Sequence, residues 1–240
     1  MNRAAFFAAA RAKPFGGSLS QSAVDGCDAI LDAWETYGDG DANKLAYLLA
    51  TAWHESDRFK TMTEYASGAA YEGRKDLGNT VAGDGKRFKG RGFVQLTGRR
   101  NYTDWAQRTG IDIVANPDLV KERPLAARIL AQGCMLGTFT GKKLGDYIGG
   151  SKVDFPNARR VINGTDKAPL IAGYAESFAA AIRAATKAVP SPEPTPKPAP
   201  LPTAPDPAIG TVGQSIIASL TIEVQDLKRR VEILETARGS

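Results

Sequence analysis

Asn43-KLAYLLATAWHESDRFKTMT-Glu64 decides the fold of this chain, because its two halves obey different rules. In the first half Leu45, Leu48, Leu49, Ala52 and Trp53 recur at helical spacing, and Asn43 can cap the helix they predict. On a wheel of about 100° per residue, with Leu45 at zero, Glu55 falls near 280° at the edge of that stripe. His54 falls near 180°, on the opposite side. Position alone leaves Glu55 open as a boundary residue in a salt bridge. Its edge position also offers partial burial, which disfavours the charged form of a carboxyl. A proton donor working near neutral pH needs that property. Glu64 cannot share a straight helix with Glu55 and reach the same substrate, since nine residues put it roughly 13 Å along and on the far side. The helix is therefore expected to end near Phe59 and the chain to turn back. Two carboxyls flanking one glycosidic bond with room for a water would stand about 6.5–9.5 Å apart, the inverting arrangement.

The residue inventory narrows the chemistry. The chain has one histidine and two cysteines. His54-Glu55 lacks the second histidine of a zinc-protease helix, and Cys27 and Cys134 are too distant in sequence for a cysteine–histidine zinc motif. No Gly-x-Ser-x-Gly elbow and no phosphate-binding Gly-x4-Gly-Lys-Ser/Thr loop occurs. No metal and no cofactor is expected. Cys27 and Cys134 read as two free thiols, with a single disulfide the alternative.

Outward from the glutamates lies a dense block, Tyr71-EGRKDLGNTVAGDGKRFKGRGFVQLTGRRN-Tyr102. It holds seven glycines, and eight Lys/Arg against three Asp/Glu, a surplus equal to the net charge of +5. A local surplus suggests an anionic partner such as nucleic acid, acidic lipid or an acidic wall polymer. No recognised nucleic-acid module fits, so nucleic acid is not the expected partner. Glycine allows close backbone approach. Gln95, Thr97 and Asn101 could hydrogen-bond sugar hydroxyls or a water, and Tyr71, Phe93 and Tyr102 could cover sugar faces. The competing reading is a structural loop whose arginines are paired or solvated.

The rest of the body reads as helices. Ser20 can cap one through about Tyr37, a turn Gly38-DG-Asp41 follows, and later patterns cover about 101–109, 124–138 and 168–188. The best strand signal is the short Gly92-FVQL-Thr97. Met1-NRAAFFAAARA-Lys13 loosely imitates a signal peptide, but a first amphipathic helix is the preferred reading. No run approaches the ~20 apolar residues of a membrane helix, so stable membrane insertion is not expected. Residues 190–207 hold nine prolines in eighteen positions, a spacer of roughly 55 Å when extended. Beyond it Ile217, Leu220, Val224, Leu227, Val231 and Leu234 follow a heptad rhythm. Weak self-association through 217–234 is the functional reading of that tail; docking on the body or fraying is the other. The expected plan is a mainly α catalytic body (1–188), a Pro-rich linker (189–208) and a short C-terminal helix (209–240).

Several of these stretches together are specific. Ala52-WHE-Ser56, Glu64, Tyr71-EGRKDLGN-Thr80, Gly83-DGKRFKGRGFVQLTGRRN-Tyr102 and Val161-IN-Gly164 resemble glycoside hydrolase family 19, in its compact bacteriophage endolysin branch. Phe15-GGSLSQSAVDGCDAILDA-Trp34 resembles the opening of those endolysins. The resemblance covers about 1–185 and implies a lysozyme-like helical fold with a substrate groove. It implies hydrolysis of β-1,4 bonds between amino sugars without a cofactor. It casts Glu55 as general acid, Glu64 as the base that activates water, and Thr97 as a hydroxyl that helps hold that water. Gln95, Asn101 and Asn163 match substrate-contacting positions. Two departures stand out: the loop between the glutamates is far shorter than in plant chitinases, and the family's Asn-Gly-Gly is Asn163-Gly-Thr165 here. The resulting expectation is an endolysin cutting peptidoglycan glycan strands, made in a host cytoplasm and acting on the wall after membrane permeabilisation. A chitinase with the same machinery, and a non-enzymatic wall-binding protein, are the alternatives.

Overall fold

The computed structural model describes residues 1–187, and the calls on the linker and heptad tail lie outside them. Helix α1 spans Arg3–Ala12 and α2 spans Gln21–Tyr37, the latter capped by Ser20, whose hydroxyl accepts from Ala23 N. Helix α3 is Ala42–Glu55. Its cap is Asp41, two residues earlier than Asn43: the Asp41 carboxylate accepts from both Asn43 N and Lys44 N. An ionised acceptor facing the helix N-terminus is the stronger of the two choices.

Helix α3 is the axis of the molecule. Every residue from Lys44 to Trp53 is buried. The single apolar stripe read from the wheel is therefore only part of its buried surface. Ala46, Tyr47, Ala50 and Thr51 fill the supposed solvent face, as in a helix wrapped on all sides. His54 does not stand in open solvent; it is half-buried beside Glu55. Helix α8 (Ala168–Lys187) lies along α3 and α1, and α6 (Arg123–Leu136) packs on α2. Phe6 and Ala10 of α1 are fully buried, so α1 packs one face against the core. Arg3 ties α1 to α2 through Asp28 (3.0 Å) and Asp32 (2.5 Å).

The Gly/basic block folds over its own small core. Short helix α4 (Asp84–Arg87) and α5 (Arg99–Thr109) surround Phe88, Leu96, Tyr102, Trp105, Ile113 and Val120. Val94 and Phe139 touch both this cluster and the main one. The strand expected over Gly92–Thr97 is absent. Gly92 (φ 75°) and Gln95 (φ 53°) both enter the left-handed region, and the segment turns instead of extending. Its ends survive as isolated antiparallel bridges, Thr63 to Arg91 and Arg91 to Leu96. Among the described residues the paired strands are β1 (Ile148–Gly149) and β2 (Lys152–Val153), antiparallel with Ile148 opposite Val153. A short helix α7 (Phe155–Ala158) and a 3-10 turn (Arg159–Val161) then lead toward α8. Cys27 and Cys134 are free and buried.

Candidate active site

The two glutamates are held by different parts of the fold, Glu55 by the end of α3 and Glu64 by the glycine block. Glu55 is the last residue of α3. Ser56, fully buried, stops the helix: its hydroxyl donates to Ala52 O (2.5 Å) and accepts from Phe59 N (3.0 Å). Asp57, Arg58 and Phe59 then take positive φ (45°, 61° and 63°), three successive left-handed residues with side chains. Such backbone is costly and persists only where packing over-determines it. Here Phe59 is buried between Trp53 and Phe93, and its carbonyl accepts from the Ser22 hydroxyl of α2 (2.6 Å). Helix and reversal thus separate Glu55 from Glu64 as the wheel required, with the helix ending four residues before Phe59.

Glu55 is paired with an arginine that no motif marked. Arg159 lies 104 residues away, is 3% exposed, and its Nη1 donates to Glu55 Oε1 at 2.5 Å. Its Nε donates to Asp166 O at 3.1 Å. The boundary-residue reading of Glu55 therefore holds as well: it is a boundary carboxylate in an ion pair. Burial lowers the pKa of His54 below its usual range, with the charges of Arg159 and Lys167 adding and those of Glu55 and Asp166 opposing.

Glu64 is fixed by the block. Glu64 N donates to Gly90 O (2.9 Å), and Gly92 N donates to Met62 O (2.9 Å), flanking the Thr63–Arg91 bridge. Both carboxylate oxygens accept: Oε1 from the Tyr71 hydroxyl (2.8 Å) and Oε2 from Gly90 N (3.0 Å). Each oxygen keeps a further acceptor site for a water. A Cβ at Gly90 would stand 2.8 Å from Gln95 Oε1 and 3.2 Å from Glu64 Oε2, so a larger residue there would push on both side chains. The same figures place the Gln95 carboxamide beside the Glu64 carboxylate. Tyr71 is itself positioned: buried Asn79 donates to Tyr71 O (2.9 Å) and accepts from Arg99 N (2.8 Å). Burial and the Glu64 charge raise the pKa of the Tyr71 hydroxyl, so it stays protonated and donating.

The remaining predicted residues divide. Thr97 donates its hydroxyl to Gln95 O (2.8 Å), which leaves its lone pairs to accept from a water, and Asn101 donates to Thr97 O (2.7 Å). Gln95 donates to Gly92 O (3.0 Å). Asn163 is exposed and folded onto its own neighbour, Oδ1 accepting from Gly164 N. Tyr102 is placed differently from its expected role at the substrate. It is fully buried, and its hydroxyl accepts from Arg91 (3.2 Å) and donates to Lys89 O (3.1 Å). Phe93 is also fully buried, so neither ring can cover a sugar face. The basic residues are largely occupied, as the structural-loop reading had it. Arg74 pairs with Asp76, Arg91 with Asp118 and Arg99 with Asp84, while Arg87 and Lys89 donate to backbone carbonyls. Sequence reasoning missed Arg159, Asn79 and the anchoring role of Tyr71. Only Tyr71 carried a signal, as an aromatic at the edge of the glycine block.

Comparisons with known proteins bear on the family and the fold. The family model for glycoside hydrolase family 19, Chitinase class I, matches residues 5–132, a stretch that contains both glutamates and stops short of Arg159 and Asn163. A bacterial family 19 chitinase aligns with TM-score 0.50 and 18% identity over 75% of this chain and 93% of its own. A class IV chitinase from Zea mays aligns at 0.49 and 19% identity (69% and 82% covered). Chitinase C from Streptomyces griseus HUT6037 aligns at 0.48 and 18% (76% and 75%). At such identity the first likeness speaks for a shared fold. With more than half of its length matched by the family model, the chain belongs to glycoside hydrolase family 19 and is a glycoside hydrolase of β-1,4-linked glycans.

Proposed function

We propose that the chain is an endolysin-type glycosidase that hydrolyses β-1,4 bonds between the amino sugars of peptidoglycan with inversion. The observation that carries the mechanism is the setting of Glu64, held at both oxygens by donors that still leave each oxygen a site for a water, while the acid role of Glu55 rests on the family match. Glu64 is gripped at both oxygens by uncharged donors beside Gln95, whereas Glu55 ends a buried helix against one arginine. In this reading Glu55, an ion-paired carboxylate in the free protein, carries a proton in the productive complex and gives it to the glycosidic oxygen, and Arg159 stabilises the carboxylate left behind. Glu64 takes a proton from a water that also donates to Thr97, and that water attacks the anomeric carbon from the opposite face. Tyr71 and Gly90 keep the base aimed while its charge changes.

Two features support a wall polymer as substrate. Only eight residues, 56–63, separate the glutamates, which leaves the site without a long covering loop. Lys75, Lys86 and Arg100 are exposed, and a polymer bearing carboxylates and phosphates would meet them favourably. The reading includes synthesis in a host cytoplasm and access to the wall after the membrane is permeabilised. A chitinase is the second reading, favoured by the description of the matching family model, Chitinase class I. Reducing-end release from purified peptidoglycan and from chitin, measured side by side at equal enzyme, separates the two. Faster release from peptidoglycan is expected, and equal or faster release from chitin would remove the muralytic assignment.

A further inference from the structure

The sequence offered Tyr71, Phe93 and Tyr102 as rings that could cover a sugar. Two of these are buried, and the third spends its hydroxyl on Glu64. The aromatic that the fold does present is Tyr65, 78% exposed and next in sequence to Glu64. A lone exposed tyrosine is ordinary. This one is tethered: its hydroxyl donates to Asp57 Oδ2 at 3.0 Å. Asp57 opens the left-handed turn two residues after Glu55. The hydrogen bond therefore joins the segment that follows Glu55 to the residue that follows Glu64, and leaves the ring face in solvent. Lys60 Nζ lies 3.8 Å from the same carboxylate oxygen.

We propose that Tyr65 is a sugar-stacking residue, its ring forming one face of a pyranose subsite beside the bond that is cut, with Asp57 as its positioning residue. This rests on the glycosidase reading above. A ring held at its hydroxyl end loses little freedom when a sugar settles on it, and tyrosine offers a large amphipathic face with few rotatable bonds. The strained turn finds a use as well: positive φ at Asp57 puts its carboxylate within reach of residue 65, where a continuing helix would carry it away. The tether also ties subsite and catalytic segments together, so sugar bound on Tyr65 is held in register with both glutamates.

The test uses the full chain carrying Glu55→Gln, so that glycan survives during titration. Its binding to the peptidoglycan-derived tetrasaccharide of alternating N-acetylglucosamine and N-acetylmuramic acid is measured by calorimetry, with the N-acetylglucosamine tetramer as a parallel arm. Tyr65→Ala in that background is expected to weaken binding about tenfold, the scale of losing one buried aromatic anchor. Tyr65→Phe and Asp57→Asn, which keep the ring and loosen the tether, should each cost about two- to threefold. In the otherwise active chain, Tyr65→Ala should raise KM more than it lowers kcat, with an unchanged melting temperature because the residue is exposed. Binding by the Tyr65→Ala protein within twofold of its parent would overturn the proposal and leave the glycosidase reading intact. Failure of the Glu55→Gln parent to bind either tetrasaccharide, with hydrolysis persisting in that variant, would instead remove the glycosidase reading and the subsite with it.

Discussion

Arg159→Met is the perturbation that asks most of this structure. The arginine is 3% exposed and its Glu55 partner 19%, so solvent screens the pair weakly. Methionine keeps much of the stem volume but removes the charge and the donors to Glu55 and Asp166 O. Breaking a buried pair by deleting one partner costs about 3–5 kcal/mol. Because Glu55 keeps some access to water, the lower end, about 3 kcal/mol, is expected. For a body of this size that is roughly 6–12 °C in Tm. Glu55→Gln should cost less, about 1–2 kcal/mol, since the amide oxygen still accepts from the guanidinium. The double variant should then be more stable than the two losses summed, by about 1.5–3 kcal/mol, because no orphaned charge remains. Urea unfolding of the four proteins at pH 7, with m held common, measures that coupling. A coupling below about 0.5 kcal/mol would refute the claim that Glu55 and Arg159 form a weakly screened ion pair that stabilises the fold.

Three further outcomes follow from the same geometry. Tyr71→Phe removes one of the two donors to Glu64 and should lower kcat about tenfold or more with KM little changed, and Gly90→Ala, which presses on Gln95 and Glu64, should act in the same direction; wild-type kcat in both would mean that Glu64 needs no such anchoring. The folded pKa of His54 lies below its unfolded value of about 6.5, so the unfolded chain binds more protons. Its contribution to stability is complete above that value and is lost as pH falls through 6.5 toward the folded pKa. His54→Gln should flatten the stability–pH curve in that window, and a curve parallel to the parent's would contradict the assignment. Burial raises the pKa of both Cys27 and Cys134, so a thiol reagent at pH 8 should label neither in the native protein and both in denaturant; rapid native labelling would place a cysteine outside the core.

What the sequence could and could not convey has physical reasons. Local signals carried well: Ser20 caps α2, the Leu45–Trp53 pattern is α3, and the reversal after Glu55 follows from helix geometry once both glutamates are required at one substrate. Periodicity could not show that α3 is wrapped on every side, because Ala46, Ala50 and Thr51 are small or polar and read as surface. Gly92-FVQL looked extended, but two left-handed residues, one of them Gln95, turned it into a loop that leaves the Gln95 carboxamide near Glu64. The aromatics were misassigned for a related cause. Phe93 and Tyr102 belong to the cores under the block, and composition cannot separate a buried ring from one that faces substrate. Arg159 was out of reach because a contact across 104 residues leaves no local pattern.

The central claim is that Glu55 is the proton donor of an inverting glycosidase. Release of reducing ends from purified peptidoglycan by Glu55→Gln, followed against the parent at equal folded concentration, tests it most directly. The account predicts a fall of about 10²–10⁴-fold with the fold retained, the range for loss of a general acid. Release at the parent rate would contradict it.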